Sequence, residues 1–282
     1  MKISLITVCH KSNEDIAKFV TTFLKYHSPD VNQIKYEFVF VENSGQPELR
    51  EVVQPLRTSG YDVLVVDSKN EGFGIGCNLG VTHSTGDLLV FVNPDIQFQS
   101  NLEPLSVFSA NASWGTVRQL TPQGKMFSID LFPEYKTSLF FTLAKGHRFV
   151  NKYPQFFLKR CFVVGSFLVV ARKLFENCGG FNPEFFLYYE EAELCRRLQL
   201  IDGPPMIEHR VSVVHVAFGS HETPAHAYKY SAEGFLIYCR ITSQLHLIPS
   251  LLKQMWILGF ISKAAKLRYS ILKNIVNGEG FK

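Results

Sequence analysis

The sequence predicts an α/β fold, with a Rossmann-like, mostly parallel sheet that carries helices on both faces. Over the first hundred residues, apolar strand-like segments alternate with segments of helical pattern, which is typical of β-α-β units. The segment LLVFV at 88–92 is apolar without alternation, as expected of a strand covered on both faces. Right-handed crossovers then place the carboxyl ends of the strands at one sheet edge, where open α/β sheets bind ligands.

The first part of the chain is predicted to contain four strands and three intervening helices. The strands are expected over 3–9, 36–43, 62–67 and 88–92. Ser12, with Asp15 three residues later, is expected to cap a helix that runs to about Tyr26. The two further helices are expected over 47–57 and 74–84.

After residue 100 the pattern is less regular, and no internal repeat or low-complexity linker is visible. The apolar run FVVGSFLVVARK at 162–173 is expected to form a second fully buried strand. The other elements expected are a short strand near 113–119, a helix that Gly179-Gly180 ends at Cys178, a helix within 185–200, a strand over 211–221 and a helix over about 227–245.

Composition is that of an ordinary globular protein. With 282 residues and 46% apolar content, the chain fits one large domain, or one domain with an appendage. Its six cysteines form no C-x-x-C pair and several lie in apolar runs, so we expect buried thiols in a reducing cytoplasm, and neither disulfides nor a zinc site. The N-terminus reads as a first strand and not as a signal peptide, and no apolar run reaches the roughly 18 residues of a membrane span.

One motif lies at the end of the fourth strand. Pro94 cannot donate to a strand ladder, so the strand stops there and Asn93 and Asp95 are held at the carboxyl edge of the sheet. Taken alone, an Asx-Pro-Asx turn is an ordinary way to leave a strand. Its meaning therefore depends on what else reaches the same edge.

A glycine cluster, NEGFGIGCNLG, occupies 70–80. Its four glycines allow the backbone to approach a ligand and leave amides free at a helix N-terminus, which suits phosphate. The spacing is not that of a dinucleotide fingerprint, and the G-K-[ST] of a P-loop is missing. A purely structural glycine turn is the alternative.

The helix that begins with EEAEL has an acid on its inward face. Glu191 shares a face with Leu194, Cys195 and Leu198, which places this carboxylate at the mouth of an apolar stripe, where it can act as a base. Glu193, by contrast, stands four residues before Arg197, so a solvated ion pair is expected there.

His215 lies in the strand-like segment VSVVHV. A single histidine in a strand is more often a structural polar residue than a metal ligand. Combined with Asp95, however, it gives one imidazole and one carboxylate, a set that with diphosphate oxygens suits Mg²⁺ or Mn²⁺.

Together these segments resemble a known family. The ordered set ISLITVCHKS, FVFVENS, NEGFGIGCNLG, VFVNPDI, VVGSFLVVARKLFENCGGFNPEFFLYYEEAELCRRL and VVHVAFGS is similar to the family 2 inverting glycosyltransferases of the glycosyltransferase A fold. Within that family it looks most like the bacterial rhamnosyltransferases that build O-antigen and other surface polysaccharides. The resemblance covers roughly residues 1–245.

The resemblance assigns roles to individual residues. It implies that Asn93-Pro94-Asp95 is a divergent D-x-D motif, that Asp95 and His215 hold the metal, and that Glu191 is the catalytic base. Glu42 takes the place of the acid that reads the nucleobase. The residues expected to bind the sugar nucleotide are Thr7, His10, Glu42, Asn70, Gly74, Asn78, Asn93 and Asp95.

Three positions depart from the family pattern, because Asn93, Glu42 and Glu191 each stand where Asp is usual. The last departure matters most. One extra methylene moves the base by about 1.5 Å, and misplacement on that scale can reduce a rate roughly 100-fold. Either the pocket compensates, or the activity is weaker than that of the family.

The function implied is transfer of L-rhamnose from dTDP-L-rhamnose, with Mg²⁺ or Mn²⁺, to a saccharide carried on a polyprenyl diphosphate. A UDP-sugar donor (galactose, galactofuranose or N-acetylglucosamine) is the first alternative. A catalytically weak scaffold or nucleotide-binding partner is the second. A nucleotidyltransferase fits less well, since no paired D-x-D constellation occurs.

The C-terminal residues 249–282 are predicted to form a basic amphipathic tail on a catalytic domain of residues 1–248. Residues 251–282 hold six basic residues against one acidic residue, which is a net charge of +5. The rest of the chain carries −1, and the two parts add up to the total of +4. A nucleic-acid partner is therefore not expected. From Phe260 onward, polar residues including Lys263, Lys266 and Lys273 fall within about a third of the helical circumference.

This pattern, with the apolar segment 255–258 ahead of it, predicts a helix in an anionic membrane surface. The protein is accordingly expected in the cytoplasm, attached to the inner face of the cell membrane. The alternative for the helix is packing on the catalytic domain or on a second subunit of a homodimer.

Overall fold

The structure, a computed structural model, describes residues 1–29, 34–110, 113–136, 146–216, 224–259 and 263–277. Its centre is an eight-stranded sheet with a two-stranded sheet beside it. The strands are β1 (Lys2–Cys9), β2 (Lys35–Glu42), β3 (Asp62–Asp67), β4 (Leu88–Val92), β5 (Ile96–Phe98), β6 (Trp114–Leu120), β7 (Ile129–Leu131), β8 (Cys161–Val163), β9 (Phe167–Ala171) and β10 (Met206–His215).

The strand order of the large sheet is β3-β2-β1-β4-β9-β6-β10-β5, with β7 and β8 paired in the small sheet. Strands β3, β2, β1 and β4 are mutually parallel, as are β6 and β10, whereas β9 runs antiparallel between β4 and β6. The predicted mostly parallel α/β sheet is thereby confirmed. All five residues of β4 are buried, in agreement with its unbroken apolar sequence.

Helices cover both faces of this sheet. On one face, Phe19 and Phe23 of the first helix pack edge-on against Phe38 of β2. On the other face, Cys77 and Val81 pack in the same cluster as Ile6 and Val8 of β1. The helices are α1 (Asn13–Tyr26), α2 (Leu49–Val52), α3 (Gln54–Thr58), α4 (Phe73–Thr82), α5 (Val107–Ala110), α6 (Gly146–Lys152), α7 (Arg172–Asn177), α8 (Glu190–Asp202), α9 (Pro224–Ile241), α10 (Leu247–Gly259) and α11 (Lys263–Val276).

Four local predictions need correction. Ser12 precedes α1, but its side chain makes no capping hydrogen bond. The single helix expected over 47–57 is two short helices, because Pro55 has no N–H to continue the first. The run 162–173 is not one strand, since it breaks at Val164–Ser166 between β8 and β9. The last strand begins at Met206 and not at residue 211, while the expected residues 217–221 lie outside the described part.

The C-terminal helix α11 packs on the helices before it. Ile271 and Leu272 are buried, and the guanidinium of Arg268 lies 4.3 Å from the ring centroid of Tyr228 on α9. This packing agrees with the alternative expectation for the tail, whereas Trp256 and Val276 remain exposed. Among the described residues, no helix combines the length and apolarity needed to cross a bilayer. The predicted boundary after residue 248 and the membrane contact remain predictions.

A buried histidine fixes the end of α1. The Nε2 atom of His27 accepts a hydrogen bond from the Leu102 N–H at 2.9 Å, so Nδ1 carries the proton and donates to the Phe23 carbonyl at 2.8 Å. Burial lowers the pKa of His27 to about 4, although the hydrogen bond to Phe23 opposes this shift. Protonation would place a second N–H against the Leu102 amide, so the fold requires the neutral ring.

The stability of the protein should therefore depend on His27 as the pH falls. Because the pKa in the folded chain lies below the usual value near 6.5, the contribution of His27 is complete above about pH 6.5 and is lost towards pH 4. Between about pH 7 and pH 4.5 we expect the wild type to lose roughly 2 to 3 kcal/mol of unfolding free energy more than His27→Gln. Urea denaturation at both pH values measures this difference. As a control, the variant His83→Gln, at an exposed position, should lose as much unfolding free energy as the wild type. If His27→Gln lost as much as the wild type, the pH dependence would not come from His27.

Candidate active site

The carboxyl end of β4 leads directly to the predicted metal residues. The Asn93 N–H donates to the Ser166 carbonyl at 3.0 Å, and the Ile96 N–H closes the Asn-Pro-Asp turn on the Asn93 carbonyl at 3.2 Å. The chain then enters β5, where Ile96 pairs with His215 of β10. This pairing places Asp95 beside His215, and Asp95 Oδ1 lies 3.1 Å from His215 Nε2.

The imidazole of His215 is held in a fixed orientation. Its ring stacks on Phe127 with the centroids 5.6 Å apart and the planes 16° apart, while Nδ1 is buried without a hydrogen-bond partner among the described residues. The predicted pair of metal ligands is thus brought together, although the described residues contain no cluster of three or more His, Cys, Asp or Glu that could hold an ion. The carboxylate of Asp95 and the Nε2 atom of His215 are two donors that fit a cation which takes its remaining ligands from a diphosphate.

The turn Val164–Ser166 connects the metal residues to the predicted base. Besides accepting from Asn93, this turn has Gly165 against the helix α8: a Cβ at position 165 would lie 3.2 Å from the Cβ of Glu191 and 3.3 Å from its Cγ. A side chain at this position would displace the glutamate. The residue at position 165 therefore limits where Glu191 can lie. Sequence reasoning missed this contact, because it joins residues that are 26 positions apart in the chain.

The carboxyl group of Glu191 is buried with one oxygen, Oε2, unpartnered among the described residues. Burial raises its pKa above the usual value, an effect that the nearby Lys136 opposes and Asp130 reinforces. Lys136 and Asp130 themselves form an ion pair at 2.5 Å. A carboxylate whose pKa is raised above its usual value is a stronger base, which suits it to accept a proton from a hydroxyl group.

A second carboxyl group precedes Glu191. Glu190 is buried, its Oε2 also lacks a partner in the described part, and burial together with the neighbouring Glu191 raises its pKa well above the usual value. Sequence reasoning did not select Glu190, since acids are common in a first helical turn. Glu193 differs, because Arg197 donates to both of its oxygens at 2.7 and 2.6 Å. This pair was expected in solvent, yet Glu193 is only 4% exposed.

The approach to α8 is strained. Tyr188 and Tyr189, immediately before the helix, have φ angles of +70° and +71°, which side-chain-bearing residues rarely adopt. At two glycines the backbone approaches this segment more closely than a side chain would allow. A Cβ on Gly72 would lie 2.7 Å from the Phe186 carbonyl oxygen, and one on Gly234 would lie 2.3 Å from that of Tyr188. Gly72 of the glycine cluster thus packs against the segment that leads into α8, as well as preceding α4.

At the nucleotide end, Glu42 is already engaged by its own loop. Its carboxylate accepts from the N–H groups of Ser44, Gly45 and Gln46 at 2.9, 2.6 and 3.0 Å, and from the Ser44 hydroxyl. Recognition of a nucleobase by Glu42 remains a prediction. It requires Glu42 to give up one of these hydrogen bonds and to accept one from the base instead. Thr7 lies one strand away, buried and with its hydroxyl unpartnered among the described residues, whereas His10 is exposed.

Three further predicted nucleotide contacts lie in or before α4. Asn70 is exposed. Gly74 packs on Phe181, to whose Cβ an added methyl would come within 3.0 Å. Asn78 donates to the Phe181 carbonyl at 2.8 Å and accepts from its N–H at 2.9 Å, so this amide already holds a turn of the chain. Direct contact of these residues with a sugar nucleotide remains a prediction.

The comparisons with known proteins agree with this architecture. Residues 4–110, which include the parallel strands β1 to β4, match the family model described as Glycosyl transferase family 2. The low-salt glycan biosynthesis hexosyltransferase Agl10 of Haloferax volcanii is 27% identical over 215 residues, which are 69% of this chain. The aligned part is 61% of the length of that relative.

Two solved structures share the fold. The mannosyltransferase PcManGT from Pyrobaculum calidifontis, in complex with GDP-Man and Mn²⁺, superposes with a TM-score of 0.61 at 14% identity, over 99% of this chain and 76% of that one. TarS 1-349 of S. aureus gives 0.57 at 13% identity, over 100% of this chain and 93% of that one. The chain therefore has the glycosyltransferase A fold.

The close approach at Gly72 gives a testable consequence for stability. Gly72 combines a φ of +121° with the 2.7 Å approach to Phe186, so Gly72→Ala should lower the unfolding free energy by about 3 kcal/mol or more. Gly179 is the matched control, because its φ is +83° but no atom lies within 4 Å of an added Cβ. Its alanine variant should cost only about 1 kcal/mol. Urea unfolding of both variants measures the difference, and equal losses would show that the contact with Phe186 is unimportant.

Proposed function

We propose that this protein is an inverting glycosyltransferase, which moves a hexose from a nucleoside diphosphate sugar to a hydroxyl group of a saccharide during glycan biosynthesis. The observation that carries the proposal is the convergence on Val164–Ser166: one turn contacts Glu191 and bonds to the end of β4, where Asp95 meets His215. The family 2 match over residues 4–110 and the hexosyltransferase relative support the choice of chemistry.

The reaction is a single displacement in which Glu191 is the base. Its carboxylate removes the proton of the acceptor hydroxyl as that oxygen forms a bond to the anomeric carbon. The bond from the anomeric carbon to the diphosphate oxygen breaks on the opposite face, and the diphosphate departs with the electron pair. Attack from the face opposite the leaving group inverts the anomeric configuration.

Asp95 and His215 are the residues that would hold a divalent cation, Mg²⁺ or Mn²⁺. When bound, the cation supplies positive charge to the departing diphosphate. The residues themselves orient the site, because Phe127 fixes the His215 ring and the Asn93–Ser166 bond fixes the strand end next to Asp95.

The donor that we propose is dTDP-L-rhamnose, on the basis of the motif resemblance, with a UDP-sugar as the alternative. The acceptor would be a saccharide on a polyprenyl diphosphate at the inner face of the cell membrane, in assembly of a bacterial surface polysaccharide. The basic tail, with Lys253, Lys266 and Lys273 exposed, supports a location at an anionic membrane surface, and its packing on α9 supports the alternative of a structural or dimer-forming role.

A donor screen tests the activity and the metal requirement together. In the presence of Mn²⁺ and a lipid-diphosphate saccharide, the protein should release dTDP from dTDP-L-rhamnose and little nucleotide from UDP-sugars or GDP-mannose. Asp95→Asn should reduce release at least about 100-fold, since the metal supplies several kcal/mol of charge stabilisation. Asp62→Asn, at an exposed position on β3, should behave as the wild type. Metal-dependent nucleotide binding without release from any donor would instead favour the scaffold alternative.

Replacement of the two adjacent carboxyl groups identifies the base. Glu191→Gln should bind nucleotide with an unchanged Kd and lose transfer by about 100-fold or more, the contribution of a general base. Glu190→Gln makes the same chemical change one residue earlier and should retain far more transfer. Kcat and nucleotide Kd are measured for both variants. A Glu191→Gln enzyme with a normal rate, beside an inactive Glu190→Gln, would move the role of base to Glu190.

A further inference from the structure

A group of large apolar side chains is exposed on the side of the molecule formed by α6, the segment 153–160 and the end of α8. Phe149 and Phe156 are 55% and 75% exposed, and Leu200 and Ile201 are 82% and 55% exposed. Exposed apolar residues that occur singly are ordinary, whereas a group of this kind marks a surface that meets a partner. We name this group, with the basic residues around it, the lateral face.

The lateral face is continuous. The side-chain amide of Gln199 on α8 donates to the Leu158 carbonyl at 3.0 Å, which fixes the end of α8 against the segment that carries Phe156. The Phe149 ring on α6 also packs on Phe157 of that segment, with the centroids 5.9 Å apart. The four apolar side chains therefore project from three elements, of which the segment 153–160 contacts both of the others.

On residues 146–160 the charges around these side chains have one sign, while on α8 the exposed Asp202 follows Ile201. Residues 146–160 contain four exposed cations and no acidic residue. Within the described part of the chain none of the four forms an ion pair, since Lys152 and Arg160 contact only the rings of Tyr153 and Tyr135. The four cations are Arg148, Lys152, Lys159 and Arg160.

The lateral face is attached to the strand beside the candidate base. The Asn151 amide on α6 donates to the Ile129 carbonyl at 2.7 Å and accepts from the Ile129 N–H at 3.1 Å, and Val150 is buried in the core. The next residue on that strand, Asp130, forms the ion pair with Lys136 near Glu191. A partner bound at the lateral face is thus held at a fixed position relative to Glu191.

We propose that the lateral face docks on the surface of an anionic lipid bilayer. Phe156 and Leu200 enter the interfacial region, where aromatic and aliphatic side chains partition, and the four cations lie against acidic headgroups. The inference deepens the proposed function, on which its link to a lipid-borne acceptor rests. It assigns membrane contact to the catalytic domain, in addition to the C-terminal tail.

The charge pattern favours a membrane over a second copy of the chain. A two-fold symmetric contact would bring the lateral faces of both copies together, and the four unpaired cations of each copy would oppose those of the other. An anionic bilayer instead offers compensating charge together with an apolar layer. Only an anionic bilayer provides partners for both the four cations and the exposed apolar side chains.

Vesicle binding by the full-length chain tests the proposal. Vesicles are made of phosphatidylcholine with about one third phosphatidylglycerol, and binding is measured by cosedimentation without donor sugar. Each cation near such a surface contributes about a fivefold gain in partition, so Lys152→Gln combined with Lys159→Gln should weaken binding about 25-fold. Phe156→Ser should also weaken it, by removing an aromatic group from the interface.

The matched control removes two cations from the other side of the sheet. Lys18 and Lys25 are exposed on α1, which packs on the opposite sheet face from Val150, so replacing both by Gln should leave binding unchanged. All positions are exposed, and an unchanged Tm confirms that each variant is folded. Retention of wild-type binding by Lys152→Gln/Lys159→Gln would overturn the proposal. Equal binding to vesicles of pure phosphatidylcholine, or loss only on replacing Lys266 and Lys273 of the tail, would also overturn it.

The readout separates this inference from the proposed function. Vesicle binding uses no nucleotide, so a protein that binds vesicles through the lateral face but releases no nucleotide would refute sugar transfer alone. A protein that transfers sugar yet does not bind anionic vesicles through these residues would refute the lateral face alone.

Discussion

The candidate site depends on a buried polar network that fixes the turn Val164–Ser166. The Gln119 amide donates to the Val164 carbonyl at 3.1 Å and to the Thr116 hydroxyl at 2.9 Å, while its oxygen accepts from the Ser166 hydroxyl. Because Gln119 is fully buried, breaking any of these bonds would leave an unpaired polar group in the core. The turn is therefore rigid, and it contacts both the end of β4, which leads to Asp95, and Glu191 at the start of α8.

Polar groups without partners concentrate at the same edge of the sheet. The described residues include buried, unpartnered side-chain atoms on Thr7, Asn43, Glu190, Glu191 and His215. An unpaired polar group in a protein interior costs about 1 to 3 kcal/mol, so native proteins retain few of them. Their placement towards the carboxyl ends of β1, β2 and β10 and at the start of α8 is what a site for a polar, charged ligand requires, since the ligand supplies the missing partners.

The sequence was sufficient to predict the parallel half of the sheet, because continuous apolar runs such as 88–92 report burial on both faces locally. It also led us to expect Asp95 and His215 side by side, and the β5–β10 pairing brings their side chains within 3.1 Å of each other, while their role in holding a metal remains a prediction. The break at Val164–Ser166 could not be predicted, because it depends on Gln119, more than 40 residues away. The burial of the Glu193–Arg197 pair likewise depends on tertiary packing, since spacing alone reports only that the two side chains can meet.

The structure also bears on the extra methylene of Glu191. A longer acid at the start of α8 would be crowded if the opposite wall carried a side chain, yet that wall is Gly165, where an added Cβ would lie only 3.2 and 3.3 Å from the first two side-chain carbons of Glu191. The glutamate therefore fills space that the glycine leaves open and is not forced out of it. The strained backbone at Tyr188 and Tyr189 sets the start of the helix independently, through contacts with Gly72 and Gly234. The open wall at Gly165 thus leaves room for the longer side chain, which agrees with the proposal that the pocket compensates for the extra methylene.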